Sequence, residues 1–373
     1  MPYILELGLI GLCVAILPLS LVSFQCNVKK YCKLAWIAVF LTLDLIMFGA
    51  FTRLTDSGLG CPDWPGCYHK SSAFSAYSEI HAAQKALPSG PVTIVKAWIE
   101  MIHRYFAMAL GFLIIVLMAI GWAKRHIFKQ SPCLVTGLFF LICLQGAFGA
   151  LTVTMKLQPM IVTTHLLLAL LLLGMLVWLA LRQIPLDQFT LSPRMLRWRW
   201  PSIIGLVLLS FQIALGGWVS TNYAVLSCMD FPKCHGQWVP SMDFHNGFAL
   251  WRVLGQTVGG DAMPMEALVA IHWVHRTFAV LVVLYLGWLA MCLRKYDSLH
   301  REATLLFLLL FVQFGTGLSN IVFQWPLFNA IAHNGVAAIL VILLVMLIYR
   351  INATGHFWPI LAQHSGSGIA KSL

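Results

Sequence analysis

Residues 100–120 read EMIHRYFAMALGFLIIVLMAI. A helix that crosses a hydrocarbon core needs roughly 20 mostly apolar residues, and this stretch supplies them behind Glu100, His103 and Arg104. Its apolar residues follow one another without the alternation of a barrel strand. Only helices and closed barrels satisfy their backbone hydrogen bonds in lipid, so the run reads as a helix. A second stretch, HWVHRTF at 272–278, opens another apolar run in the same way. The chain builds one device twice.

The rest of the chain has the same character. Its 373 residues are 60% hydrophobic and 10% charged, against about 25% charge in soluble domains. Such a chain cannot cover its surface with polar groups, so a polytopic membrane protein is expected. Candidate spans lie at about 3–24, 34–52, 97–122, 132–153, 160–181, 201–220, 265–292, 302–322 and 327–349. The first lacks a basic leading segment and carries Glu6, so it reads as a helix and not as a cleaved leader.

Lys and Arg set the orientation. Fifteen of the 24 gather in one set of loops: Lys29, Lys30 and Lys33; Lys124, Arg125 and Lys129; Arg182, Arg194, Arg197 and Arg199; Arg294, Lys295 and Arg301; then Arg350 and Lys371. These loops and the C-terminus are expected in the cytoplasm. The segments 53–96 and 221–264 mix bases with Asp56, Asp63, Glu79, Asp230, Asp243 and Asp261, and are expected outside. The net charge of +11 is thus a topology signal. A nucleic-acid role needs a basic soluble face, and none is legible.

GCPDWPGC at 60–67 matches SCMDFPKC at 227–234, and QGAFGALT at 145–152 matches QFGTGLSN at 313–320. In the same register His103 matches His275 and His165 matches His333. Each half, 34–181 and 201–349, holds four spans, and an even number returns the chain to the same side. The halves are therefore expected to be related by a pseudo-two-fold axis along the membrane normal, as parallel repeats are. The expected fold is an all-α polytopic membrane protein. It comprises two four-helix bundles and one extra N-terminal transmembrane helix. Its divisions are 1–33 (that helix and a basic loop), 34–182 (first half), 183–200 (linker), 201–350 (second half) and 351–373, a tail expected to be disordered.

His103, His165, His275 and His333 fall roughly 8–15 Å below the outer edge at 1.5 Å rise per residue. A lone histidine at that depth is most simply an interhelical hydrogen bond. Two pairs repeated in register point to ligation, because ionisable groups in lipid are costly and tend to be functional. Zinc usually takes four protein ligands or nearly so. Two imidazoles per half in a helix bundle suit haem iron better. Arg104 and Arg276 adjoin their histidines and are placed to pair with haem propionates, or else to snorkel to the interface.

The halves differ three residues before the first histidine, where one has Glu100 and the other His272. Spacing i, i+3 puts each on its histidine's face. A carboxylate beside a haem moves protons, for which an electron carrier has little use. The first half is expected to do chemistry and the second to carry electrons; the plainer alternative makes Glu100 an interfacial cap.

Cys61/Cys67 and Cys228/Cys234 recur at one place in both outer loops, where oxidising conditions favour disulfides. They read either as staples or, for Cys61/Cys67, as a labile pair that exchanges reducing equivalents. Cys26/Cys32 has the same spacing on the basic side and is expected to be reduced. Cys13, Cys133, Cys143 and Cys292 read as small buried residues. Gly146, Gly149, Gly216, Gly217, Gly315 and Gly317 read as sites of close helix packing.

Taken in order, FTRLTDSGLGCPDWPGC at 51–67, EMIHR at 100–104, TTH at 163–165, the second Cys pair, IHWVHR at 271–276 and IAHN at 331–334 resemble haem A synthase. The likeness covers 34–349 and implies a membrane enzyme of eight repeat-related helices. It implies oxidation of the C8 methyl group of haem O to a formyl group, giving haem A for terminal oxidases. It implies haem b as cofactor between His275 and His333, haem O between His103 and His165, Glu100 as the catalytic carboxylate, and Cys61–Cys67 as the family's loop pair. It further implies a bacterial inner membrane, delivery of haem O by haem O synthase, and an electron donor the sequence does not name. It leaves a homo-oligomer open. The span at 3–24 departs from the family pattern.

The residues alone reach two haem sites with different jobs. The competing class is a di-haem b electron-transfer cytochrome, which tolerates Glu100→Ala. A transporter wants broken helices near the midplane, and the spans carry few such interruptions.

Overall fold

The computed structural model describes residues 2–20, 28–128, 131–184 and 193–366, and among them every regular element is a helix. After α1 (Pro2–Ser20), the first half comprises α2 (Val28–Leu54), α3 (Tyr77–Ala86), α4 (Ile94–Ala123), α5 (Arg125–Phe128), α6 (Cys133–Thr154) and α7 (Pro159–Leu181). The second comprises α8 (Arg199–Thr221), α9 (Phe244–Gly247), α10 (Met265–Leu293), α11 (His300–Val322) and α12 (Leu327–Gly366). Among the described residues, eight helices are long and apolar enough to cross a membrane: α2, α4, α6, α7, α8, α10, α11 and α12. They are the eight expected in the two halves, and the chain is a multi-pass membrane protein.

Three boundaries differ from expectation. α2 starts at Val28, so Lys29, Lys30 and Lys33 stand on its first turns; lysine is a good helix former whose stem snorkels. α12 passes the expected end at 349 and runs to Gly366, so the backbone of 351–366 is helical where an irregular tail was expected. The apolar part of α1, Tyr3–Ile16, is shorter than the eight spans. Residues 21–24 of the first expected span, 185–192 of the linker and 367–373 of the tail lie outside the described residues.

Each half is a ring of four helices. α2, α4, α6 and α7 touch in that cyclic order, and so do α8, α10, α11 and α12. The rings join where α2 meets α12 and where α7 meets α8 and α12. One core cluster runs through both, with Leu113 and Leu117 of α4, Leu173 and Leu176 of α7, Leu286 and Leu289 of α10 and Leu344 of α12 all fully buried. These leucines occupy the later turns of α4, α7 and α10, toward the basic loops. The earlier turns are left for the polar residues.

The disulfide loops repeat one design. Cys61–Cys67 and Cys228–Cys234 are both formed. Asp63 accepts hydrogen bonds from the Tyr68 and His69 N–H groups, and Asp230 accepts from His235 and Gly236. A single antiparallel bridge closes each loop, Cys67 to Lys70 and Cys234 to Gln237. These matched contacts are consistent with the expected duplication. α1 breaks it: this helix packs on α4, buries Leu7 in one apolar cluster with Cys61 and Cys67, and accepts a 2.7 Å hydrogen bond from Ser71 through Glu6. A Cβ on Gly11 would stand 2.7 Å from the Met108 Cβ, so only glycine allows this approach.

The free cysteines correct an expectation. Cys13, Cys133 and Cys143 are exposed and Cys292 is half-buried. A lipid tail is as apolar as leucine, so an apolar span does not say which of its faces points inward. Cys32 is a free thiol as expected, and Cys26 lies outside the described residues.

Candidate functional site

The four repeat-related histidines lie two to three turns into their helices. Helix starts set that depth. Thr93 caps α4 by accepting from the Lys96 N–H, and Gln158 caps α7 by accepting from Ile161, with Pro159 in the first turn. His103 on α4 and His165 on α7 occupy opposite corners of the first ring, as do His275 on α10 and His333 on α12 in the second. The structure thus places the members of each expected pair on opposite helices of one ring.

Each imidazole lies against a glycine of the neighbouring helix. A Cβ on Gly49 would sit 3.3 Å from the His103 ring, on Gly149 3.4 Å from His165, on Gly216 3.1 Å from His275 and on Gly317 3.1 Å from His333. Three rings also meet a glutamine amide. Gln145 Nε2 lies 3.4 Å from His165 Nε2, Gln212 Nε2 3.0 Å from His275 Nδ1, and Gln313 Nε2 3.2 Å from His333 Nε2. Gln145 and Gln212 also donate to the backbone carbonyl of the same histidine, each at 3.1 Å. Thr316 Oγ1 is 2.9 Å from His333 Nδ1. All four rings also meet the main chain of this neighbouring residue, which for His103 is Leu45 and brings no amide; His103 stacks on Phe48 at 5.9 Å.

The asymmetric pair sits just above. Glu100 is buried, accepting from Arg104 Nη2 at 2.5 Å and from the Cys61 N–H at 2.8 Å. Arg104 Nη1 donates to the carbonyls of Asp63, Pro65 and Gly66. Arg104 was expected to face a propionate or to snorkel; it is 8% exposed and tied to the disulfide loop. The loop's carbonyls converge on the helix there, a contact that the sequence does not display. In the second half Arg276 Nη2 donates to Pro232 and Lys233, while its buried Nη1 has no partner among the described residues. His272, at the place of Glu100, is 3% exposed and its Nδ1 is likewise unpartnered.

Charges on the loop itself are set by short contacts. Lys70 donates to Glu79 of α3 at 2.7 Å and, with Ser78, holds the Glu79 carboxyl down at about 2. The Gly236 and His235 N–H groups hold Asp230 below the usual carboxylate range.

These residues fit a haem. The described residues form no cluster of three or more metal-ligating side chains. Two imidazoles on opposite helices of each ring suit an iron whose other ligands come from a macrocycle. The unpartnered buried Arg276 Nη1 supplies a donor for an anionic edge. Sequence reasoning missed the glutamines, Phe48 and Leu45. It took Gly149, Gly216 and Gly317 as packing residues, whereas they adjoin the rings; Gly217 does pack, against Leu166 and Thr163, and Gly146 and Gly315 touch nothing within 4 Å. The recoverable signal was Q-x-x-x-G inside an apolar span, which begins at 145, 212 and 313; the same pattern at 256 lies in an outer loop.

The cytochrome oxidase assembly protein family, COX15-CtaA, matches residues 32–345. The chain belongs to that family. The match to the cytochrome oxidase assembly family begins beyond α1, and it takes in both disulfide loops and all four histidines. Haem A synthase of Shewanella oneidensis is 36% identical over 320 residues, 85% of this chain and 96% of that protein. Haem A synthase of Erythrobacter litoralis is 28% identical, covering 82% and 93%. That of Caulobacter vibrioides is 25% identical, covering 85% and 94%.

Proposed function

We propose that this chain is a haem A synthase of a bacterial inner membrane, an oxidoreductase that converts the C8 methyl group of haem O to a formyl group. The observation that carries the reading is one asymmetry in a duplicated site. Both halves set two histidines on opposite corners of a helix ring, but only the first adds a buried carboxylate, Glu100, one turn above. Haem O is held by His103 and His165. Glu100 is the proton acceptor for the methyl oxidation: its Oε1 faces Arg104 and its Oε2 the Cys61 N–H, which keep it in place beside the ligand.

His275 and His333 hold haem b, which when bound supplies one-electron transfer. Gln212, Gln313 and Thr316 orient those rings, and Arg276 Nη1 takes a propionate. The disulfide loops lie on the outer side and the basic loops in the cytoplasm. Haem O arrives from haem O synthase; turning methyl into formyl removes four electrons and adds one oxygen atom, which calls for an oxidant and oxygen source of the class of dioxygen, with electrons from a separate donor.

The test is to express the chain with a supply of haem O, extract the non-covalent haems and separate them. Haem A or its hydroxymethyl precursor is the expected product of the wild type, and Glu100→Ala abolishes it. A preparation that binds haem O but yields only haem b and unchanged haem O defeats the proposal.

A further inference from the structure

Four neighbouring helices present the same pair of positions to the four imidazoles: a glycine, and the residue four before it. On α6, α8 and α11 the pair is Gln145/Gly149, Gln212/Gly216 and Gln313/Gly317; on α2 it is Leu45/Gly49. Residues four apart share a helix face. The glycine lets the ring seat directly on backbone, at 3.1–3.4 Å from where a Cβ would be. The residue one turn away then closes over the ring. Three times it is a glutamine whose amide lies 3.0–3.4 Å from the ring, and in Gln145 and Gln212 it is fixed there by donating to the histidine's own carbonyl at 3.1 Å. The Oε1 of each amide is buried and unpartnered, so the groups are retained in an apolar bundle at a desolvation cost. The fourth time it is leucine, so His103 keeps the main-chain contact that all four rings make with this residue but has no amide closing over it, and stacks on the Phe48 face.

We propose that these pairs are sockets that position the ligand histidines, and that Leu45 makes the His103 socket the one that lets its haem go. The inference rests on the reading of the four rings as haem ligands. The groups around a ligand histidine set its orientation and metal affinity, and their loss costs about tenfold or more. A site that must take in one haem and give up another gains from one loosely held ligand; a resident site gains from two firmly held ones. The second half has two amide sockets and the first has one.

The test uses the full chain in detergent with both haems bound, and follows haem transfer to excess apomyoglobin by absorbance. Wild type releases haem in a fast phase from the first half and a slow phase from the second. Leu45→Gln is expected to slow the fast phase about tenfold. Gln212→Leu is expected to speed the slow phase by about as much. Gly216→Ala and Gly317→Ala are expected to shift the low-spin electron paramagnetic resonance signal and the midpoint potential. Gly146→Ala and Gly315→Ala, on two of the same helices but facing open space, move neither.

Unchanged phases in both Leu45→Gln and Gln212→Leu overturn the sockets, as do equal spectral shifts from Gly315→Ala and Gly317→Ala. Should Leu45→Gln fail to assemble, the Gln212→Leu rate decides. Failure of the underlying reading looks different: His275→Ala then keeps its full haem content.

Discussion

At the scale of single residues, Glu100 and Arg104 carry two jobs between them. Their ion pair is buried, and Arg104 also gathers three loop carbonyls. Removing one member of a buried pair leaves the other charge uncompensated, at about 3–5 kcal/mol. Arg104→Ala is therefore expected to lower stability by that amount in thermal unfolding in detergent. Glu100→Gln keeps an acceptor for the Cys61 N–H but cannot take a proton. Its turnover is expected to fall at least about 100-fold, with haem b content unchanged in a pyridine haemochrome assay. Equal losses of haem and turnover would instead assign Glu100 to structure.

At the scale of elements, α3 and the first disulfide loop form one unit joined by Lys70 and Glu79. The Glu79 carboxyl lies at about 2 when folded, against 4.5 ordinarily. A depressed value contributes stability that is full above 4.5 and is lost as pH falls from 4.5 toward 2. Glu79→Gln is expected to flatten the pH dependence of unfolding in that window and to leave it unchanged at pH 7–8. The effect is small because both partners are over a third exposed. α3 itself was not legible: YSEIHAAQKA is short and polar on average, so it gives no spanning signal.

At the scale of the whole molecule, the halves are locked together near both faces. Arg53 donates to the Ser220 carbonyl at 2.7 Å and stacks over Tyr223, and Gln158 donates to Leu250 at 2.9 Å. Toward the basic loops, Trp178 meets Tyr349 edge-on with centroids 5.0 Å apart. α1 stands outside this symmetry and serves the first half alone, through Leu7, Glu6 and Gly11. Gly11→Leu is expected to push α1 off α4 and to speed proteolysis of the first disulfide loop. The second loop, which α1 does not touch, is expected to be cut at the wild-type rate.

The sequence by itself determined the eight spans, the duplication, the four histidines and the disulfide pairs. The physical reason is local: in lipid a backbone must close its own hydrogen bonds, so any long apolar run becomes a helix wherever it stands. Repeats and motif spacing then place residues along each helix. Rotation about the helix axis is a different matter. Lipid accepts an apolar side chain as readily as a neighbouring helix does, so Cys143 could face outward and Gly149 could face a ring with no trace in composition. Only the tertiary structure decided that Arg104 belongs to the disulfide loop, and that Gln145, Gln212 and Gln313 lie against histidines while Leu45 takes the fourth place.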